Sequence, residues 1–155
     1  MPAIGPKLTW HRAVCTVALA ILSLPAGPLH AARPRDVLAT INYVATALAS
    51  DNAVDAMAPF DKSFANYAKL RDYFSGLTDS SQIVNEVDLT DEQDSDTQSS
   101  VTVDWTMTLT NKTTLQTERG SGEIHIRLTL QSGKWKIVDF SPIDLFNPQP
   151  KQESK

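Results

Sequence analysis

The sequence predicts an α+β fold, in which three amphipathic helices precede an antiparallel sheet of four or more strands. Two observations carry this prediction. Apolar residues recur at helical spacing from residue 37 to residue 77, and they alternate with polar residues from about residue 80 onward. Strands with one apolar and one polar face form a sheet that is covered on one side only. The helices that precede them supply that cover.

The first two helices are marked by their caps. Asp36 is placed to begin a helix whose apolar stripe runs to Leu48. Asn52 is placed to cap a short second helix that carries Asp55 near its start. Pro59 ends this second helix, because proline cannot continue the hydrogen-bonding pattern.

The third helix is predicted from a stripe of large apolar side chains. It begins at Asp61 or Ser63 and is expected to end at Gly76. The stripe consists of Phe64, Tyr67, Leu70, Phe74 and Leu77.

The strands are predicted from period-two alternation. A first strand includes Ile83 to Leu89, and residues 101–110 and 124–131 alternate without error. The two residues 132–133, Ser-Gly, predict a tight hairpin into a last strand that Pro142 stops. After that proline, a short apolar group folds back as a clamp: Ile143, Leu145 and Phe146.

Residues 1–32 are predicted to be a signal peptide. Lys7 and Arg12 form a basic start, a twelve-residue apolar stretch follows at 13–24, and small alanines precede position 33. We therefore expect an exported, periplasmic or extracellular protein with no stable membrane span after cleavage. A segment that is retained as an N-terminal anchor is the alternative.

The mature chain is predicted to hold one domain, residues 33–147, and a disordered tail, residues 148–155. It keeps 12 basic and 18 acidic residues, a net charge of −6, which argues against nucleic acid as a partner.

Cleavage removes Cys15 and two of the three histidines. The mature chain therefore lacks the residues for a disulfide, a thiol nucleophile or a site with several His or Cys ligands, and we predict no metal and no cofactor.

Three segments carry a resemblance to a known family. Residues 51–57 before Pro59-Phe60 resemble the first inter-helix segment of the nuclear transport factor 2-like (SnoaL-like) superfamily. Residues 122–128 and 133–140 resemble its closing hairpin. The resemblance covers residues 36 to 146 and implies a cone-shaped roll with the helices on one face of a curved sheet. The superfamily includes isomerases, dehydratases, cyclases, hydrolases and non-catalytic binding domains, so the fold alone selects no function.

The resemblance also implies a pocket at one end of the cone. The candidate lining residues are Tyr43, Phe64, Tyr67, Trp105, Met107 and Trp135. The alternative is that all six fill the core. The two tyrosines point more strongly to a pocket, because a buried phenol needs a hydrogen-bond partner.

A second candidate site lies on the polar face of the sheet. A hairpin centred near residues 114 and 115 would place Asp104 opposite His125, with Arg127 diagonal to them. A carboxylate that orients an imidazole is a workable general base. The alternative is a solvent-exposed or dimer-forming surface with ordinary cross-strand pairs.

Asp139 is the catalytic candidate. Counted from Trp135 and Ile137, it falls on the apolar face, where desolvation would raise the pKa of its carboxyl and suit it to acid–base chemistry. The alternative is a bulge that turns Asp139 outward.

The acidic stretch from Asp88 to Asp96 has two interpretations. Oxygen-rich loops hold calcium, but this one lacks the glycine and the terminal glutamate of an EF-hand. A solvated hairpin connection that discourages edge pairing is the other interpretation.

Three functions remain open. The first is an exported, non-catalytic domain that binds a small apolar ligand or a protein partner and forms a homodimer through its polar sheet face. The second is a small lyase or isomerase with Asp139 as general base. The third is a periplasmic structural subunit that its N-terminal segment anchors.

Overall fold

The computed structural model describes residues 33–148. The elements, in chain order, are α1 (Arg33–Ala49), α2 (Ala53–Met57), α3 (Tyr67–Ser80), β1 (Ser81–Asp94), β2 (Gln98–Asn111), β3 (Thr117–Gln131), β4 (Lys134–Ser141) and a 3-10 turn (Asp144–Phe146). The strands pair antiparallel in the order β1-β2-β3-β4, and the helices cover one face of the curved sheet. The α+β prediction is confirmed.

The predicted signal peptide and all but the first residue of the predicted tail lie outside the described residues. Within residues 33–148, no helix is long and apolar enough to cross a membrane.

The first two helices form, but the predicted start of α1 is wrong, because the helix begins at Arg33 and Asp36 lies within its first turn. The α1 side chains Val37, Ile41 and Leu48 are buried against the sheet. The side chain of Asn52 caps α2, because its Oδ1 accepts a hydrogen bond from the Asp55 backbone N–H at 3.0 Å.

Both predicted ends of α3 are wrong. The helix begins at Tyr67, because the Asp61 carboxylate accepts hydrogen bonds from the N–H and hydroxyl of Ser63 and so stabilises a local turn. The helix also continues past Gly76, since Leu77 in its last turn is fully buried and packing outweighs the intrinsic cost of a glycine.

The two faces of the sheet differ in chemistry. The inner face packs on the helices and carries the apolar residues of the alternating strands. The outer face carries their polar neighbours. The inner set on the two central strands is Val101, Val103, Trp105, Met107, Ile124, Ile126 and Leu128, all of them buried.

β1 is longer than predicted and takes in much of the acidic stretch. It runs to Asp94, so that the connection to β2 is only residues 95–97. An extra residue, Thr90, bulges between Leu89 and Asp91. Most of the expected acidic connection is therefore an edge strand whose carboxylates guard it against pairing with another chain.

The predicted register of β2 and β3 is wrong by two residues. His125 lies opposite Thr102, and Asp104 lies opposite Glu123. The alternation of the side chains survives this error, because a shift of two residues preserves which face each one occupies.

A bulge in β4 overturns the prediction for Asp139. Arg127 pairs with Asp139 but its neighbour Leu128 pairs with Ile137, so that Val138 is the extra residue. One extra residue reverses the alternation. Asp139 therefore points to the outer face, and Phe140 takes the inner position and is completely buried.

Aromatic rings pack the inside of the cone. Six of them lie between the helices and the sheet: Phe60, Phe64, Phe74, Trp105, Phe140 and Phe146. The Phe146 ring lies 5.3 Å from Trp105 and 5.4 Å from Phe140, centroid to centroid. The predicted clamp is confirmed, because Phe146 and Ile143 both fold back and are buried.

Candidate functional site

The six predicted pocket residues divide into two groups. Tyr43, which is exposed, and Trp135, which is mostly buried and also belongs to the core, line an open groove at the rim of the cone. The other four belong to the packed interior: Phe64, Trp105 and Met107 are buried and Tyr67 is half-buried against the core. The structure thus brings the two members that lie furthest apart in the sequence to one surface.

The groove runs between α1 and the β3–β4 hairpin and has a volume of about 800 Å³. This volume falls within the range of about 300 to 1,000 Å³ that is usual for small-molecule sites. Its lining residues are Asp36, Ala39, Thr40, Tyr43, Ala58, Pro59, Leu130, Gly133, Lys134, Trp135 and Lys136.

One wall of the groove is a single face of α1. Asp36, Ala39, Thr40 and Tyr43 occupy positions i, i+3, i+4 and i+7, which places them on one side of a helix. Tyr43 is 48% exposed, unusually high for a large aromatic side chain, so that its ring is available to a ligand.

The opposite wall depends on the turn between β3 and β4. Ser132 and Gly133 both have positive φ, 49° and 77°, as the tight two-residue turn requires. This turn places Leu130 directly opposite Trp135 on the inner face. A side chain at Gly133 would meet nothing within 4 Å, so the groove is open at the turn.

The end of the groove formed by Ala58 and Pro59 is tied to β4 by hydrogen bonds. The Lys136 ammonium donates to the Ala58 carbonyl at 2.7 Å. The backbone N–H of Ile137 donates to Pro59, and that of Asp61 donates back to Ile137. The segment before α3 therefore lies along the free edge of β4 as a short parallel bridge.

Asp61 fixes the same segment through its side chain. Its carboxylate accepts hydrogen bonds from the Ser63 hydroxyl at 2.6 Å, the Ser63 N–H at 2.8 Å and the Gln131 amide at 2.9 Å. These bonds favour the ionised form and lower the pKa of Asp61 to about 2, with the Ser63 hydroxyl contributing most.

Most of the groove residues were not predicted from the sequence. Leu130 was visible only as a strand residue, and Lys134 only as the start of the last strand. The available signal was the Ser-Gly turn, because a two-residue turn fixes which side chains face each other across the hairpin. Nothing in the sequence indicated that α1 would lie beside them.

The outer-face candidates Asp104, His125 and Arg127 do not form the expected triad. His125 Nδ1 lies 3.2 Å from the Thr102 hydroxyl and its Nε2 lies 3.4 Å from Glu123. Arg127 pairs instead with Asp139 at 3.4 Å.

His125, Arg127 and Asp139 line a shallow concavity of about 290 Å³ on the outer face. His125 and Arg127 both keep side chains that are more than 60% exposed. Because His125 and Arg127 lie beside carboxylates in open solvent, this surface has the character of an ordinary polar sheet face. Asp104 lies opposite Asp88 and Glu123 and forms no ion pair within the described residues.

The acidic stretch brings one carboxylate toward the inner face. Glu92 lies opposite Val101, and desolvation raises the pKa of its carboxyl. Within residues 33–148, no group of three or more His, Cys, Asp or Glu side chains is arranged to hold a metal ion.

Solved structures share this arrangement of helices and sheet. A nuclear transport factor 2-like superfamily protein from Salmonella enterica is 10% identical, with a TM-score of 0.58 over 68% of this chain and 86% of its own. The chain has the nuclear transport factor 2-like fold. A ketosteroid isomerase-like protein from Erwinia carotovora atroseptica is 14% identical, with a TM-score of 0.58 over 68% of this chain and 91% of its own.

A protein of unknown function from Mycobacterium tuberculosis is 18% identical, with a TM-score of 0.60 over 70% of this chain and 69% of its own. No family model matches the sequence, and no curated protein matches it. At sequence identities this low, the similarity to nuclear transport factor 2-like proteins shows a shared fold. The function has to be argued from the site.

Proposed function

We propose that this chain is an exported, non-catalytic binding domain that takes a small apolar or amphipathic ligand in the groove between α1 and the β3–β4 hairpin. The observation that carries the proposal is the groove itself. An exposed aromatic ring, Tyr43, faces an aromatic and aliphatic wall formed by Trp135 and Leu130. Such a concave, mostly apolar surface with a few polar groups is typical of ligand sites.

The packing of the interior supports the rim as the binding surface. Trp105 and Phe140 are fully buried and lie 6.0 Å apart, centroid to centroid, in edge-to-face contact. A ligand that entered the cone would have to displace these rings, whereas the groove is open without any rearrangement.

The lyase or isomerase alternative loses the premise on which it was based. Asp139 lies on the outer face, beside Arg127 and away from the inner face. Fold relatives that are named as isomerases do not restore this premise, because they are alike in fold alone. A homodimer through the outer face and the structural-subunit alternative stay predictions.

The binding proposal is tested with N-phenyl-1-naphthylamine, a neutral aromatic probe whose fluorescence rises when it leaves water. We expect saturable binding to the purified protein. Tyr43→Ala should weaken it about two- to tenfold, the size of an aromatic contact. Tyr43→Phe should retain the affinity, because the ring and not the hydroxyl forms the wall.

Two further variants locate the binding. Ala39→Trp fills the groove from an exposed position on α1 and should abolish binding. Leu115→Ala removes an exposed apolar side chain from the β2–β3 turn, outside the groove, and should leave the affinity unchanged. Absence of saturable binding, or equal losses in Tyr43→Ala and Leu115→Ala, would contradict the proposal.

A further inference from the structure

The groove contains a lysine that the rest of the molecule does not neutralise. Lys134 is the first residue of β4, is exposed and lines the groove. Its side chain forms no ion pair or hydrogen bond with any residue between 36 and 148. Its ammonium is therefore free to meet a ligand.

Several other cations of the described residues have partners, although the exposed Lys62 before α3 has none. Arg71, Lys112, Arg119 and Arg127 each pair with a carboxylate within 3.4 Å. Lys136, the second lysine of the groove, donates to a backbone carbonyl and its charge also acts on the Asp61 carboxylate, so that Lys134 is the lysine of the groove that stays available.

The one carboxylate of the groove does not cancel these charges. Asp36 lies in the first turn of α1 and forms no ion pair with Lys134 or Lys136. The positive end of the helix dipole already stabilises a carboxylate at this position. The groove thus holds two ammonium groups against one carboxylate, in a chain whose overall net charge is −4.

We propose that the ligand of the groove is an amphipathic anion, an aromatic or alkyl body that ends in a single carboxylate or sulfonate. The body packs between Tyr43 and the pair formed by Trp135 and Leu130. The anionic group meets the ammonium of Lys134 at the turn, where the absence of a side chain at Gly133 leaves room for it. This inference rests on the proposed function and adds the chemistry of the ligand.

Two probes with the same skeleton separate the two proposals. N-phenyl-1-naphthylamine is neutral, and 8-anilino-1-naphthalenesulfonate adds one sulfonate to the same rings. We expect the sulfonate to bind about fivefold more tightly at low salt, the size of one partly exposed ion pair. Added salt should reduce this preference, because it screens exposed charges.

Substitution of the lysine assigns the preference to its source. Lys134→Gln should remove the preference for the sulfonate and leave binding of the neutral probe unchanged. Lys69→Gln is the matched control, since it removes the same charge from an exposed α3 lysine that lies over the Tyr73 ring, outside the groove. It should change neither affinity.

Each outcome has a distinct meaning. If neither probe binds, the proposed function fails. If both bind equally, the groove binds apolar molecules and the anionic specificity is wrong. If the preference for the sulfonate survives Lys134→Gln, the placement of the anionic group is wrong. A pair of decanoate and decanol as competitors repeats the comparison on an alkyl chain and excludes an effect that is peculiar to naphthalene.

Discussion

The two faces of the sheet are formed by the same four strands, yet their side chains differ in exposure to solvent. On the inner face, rings such as Trp105 and Phe140 pack against one another and are withdrawn from water. On the outer face, charged groups such as Arg127 and Asp139 pair in solvent. At the rim between the two faces, the exposed ring of Tyr43 and the side chain of Lys134, unpaired among the described residues, line the same groove. The comparison therefore favours the rim as the surface for the proposed binding.

The largest predicted effect separates the two faces at adjacent residues. Phe140→Ala should lower the free energy of unfolding by about 3 to 5 kcal/mol, because it leaves a cavity among buried rings. Asp139→Asn, one residue earlier, should change it by less than about 1 kcal/mol. Urea denaturation followed by tryptophan fluorescence measures both. Equal effects would mean that the bulge at Val138 is absent and that Asp139 shares the inner face.

A smaller effect is expected where a polar group bridges the inner face to a helix. Asn85 donates to the Ala45 carbonyl at 2.8 Å and accepts from the Trp105 indole N–H at 2.9 Å. Asn85→Ala leaves that buried N–H without a partner and should cost about 1 to 3 kcal/mol.

The cause of the stability loss in Asn85→Ala is tested by making the same substitution in a second variant. In Trp105→Phe, which removes the indole N–H, the additional cost of Asn85→Ala should be smaller. An unchanged cost would show that the indole bond contributes nothing and that the loss comes from the contact with α1.

Regular features of the fold could be predicted from the sequence because each depends on local chemistry. The alternation of Val101 to Leu109 identifies a strand wherever it pairs, and Asn52 caps the helix that directly follows it. The Ser132-Gly133 turn fixes its own hairpin. These features need no knowledge of the rest of the chain.

The candidate site could not be predicted in the same way. Whether Asp139 faces inward depends on one extra residue in β4. Such a bulge reverses which face the following side chains occupy, and the sequence of apolar and polar residues does not reveal it. The groove joins Tyr43 to Lys134, whose proximity depends on how α1 crosses the sheet. Long-range packing determines both the bulge in β4 and the position of α1. The periodicity of a single sequence contains no information about such packing.

Asp61 allows a test of the edge where the two faces meet. The pKa of this carboxyl is lowered to about 2 in the folded state, first by the Ser63 hydroxyl. Its ionised form therefore stabilises the protein above its ordinary pKa of about 3.8, and this stabilisation is lost as the pH falls toward 2.

The corresponding experiment compares the wild type with Asp61→Asn between pH 7 and pH 2. The difference in stability between the two proteins should be largest near neutral pH and shrink in acid. A difference that is independent of pH would show that the charge of Asp61 plays no part in holding the segment before α3.

The smallest effect is expected for the ion pair on the outer face. A double-mutant cycle with Arg127→Gln and Asp139→Asn should give a coupling of about 0.2 to 1 kcal/mol, because side chains that are 64% and 42% exposed interact through water. The coupling should fall in 1 M salt, where the screening length is about 3 Å. A coupling well above this range that resists salt would mean that the pair is covered in solution. Since both groups are exposed in the single chain, the cover would have to come from another molecule, and a second copy on the outer face would then be the first to examine.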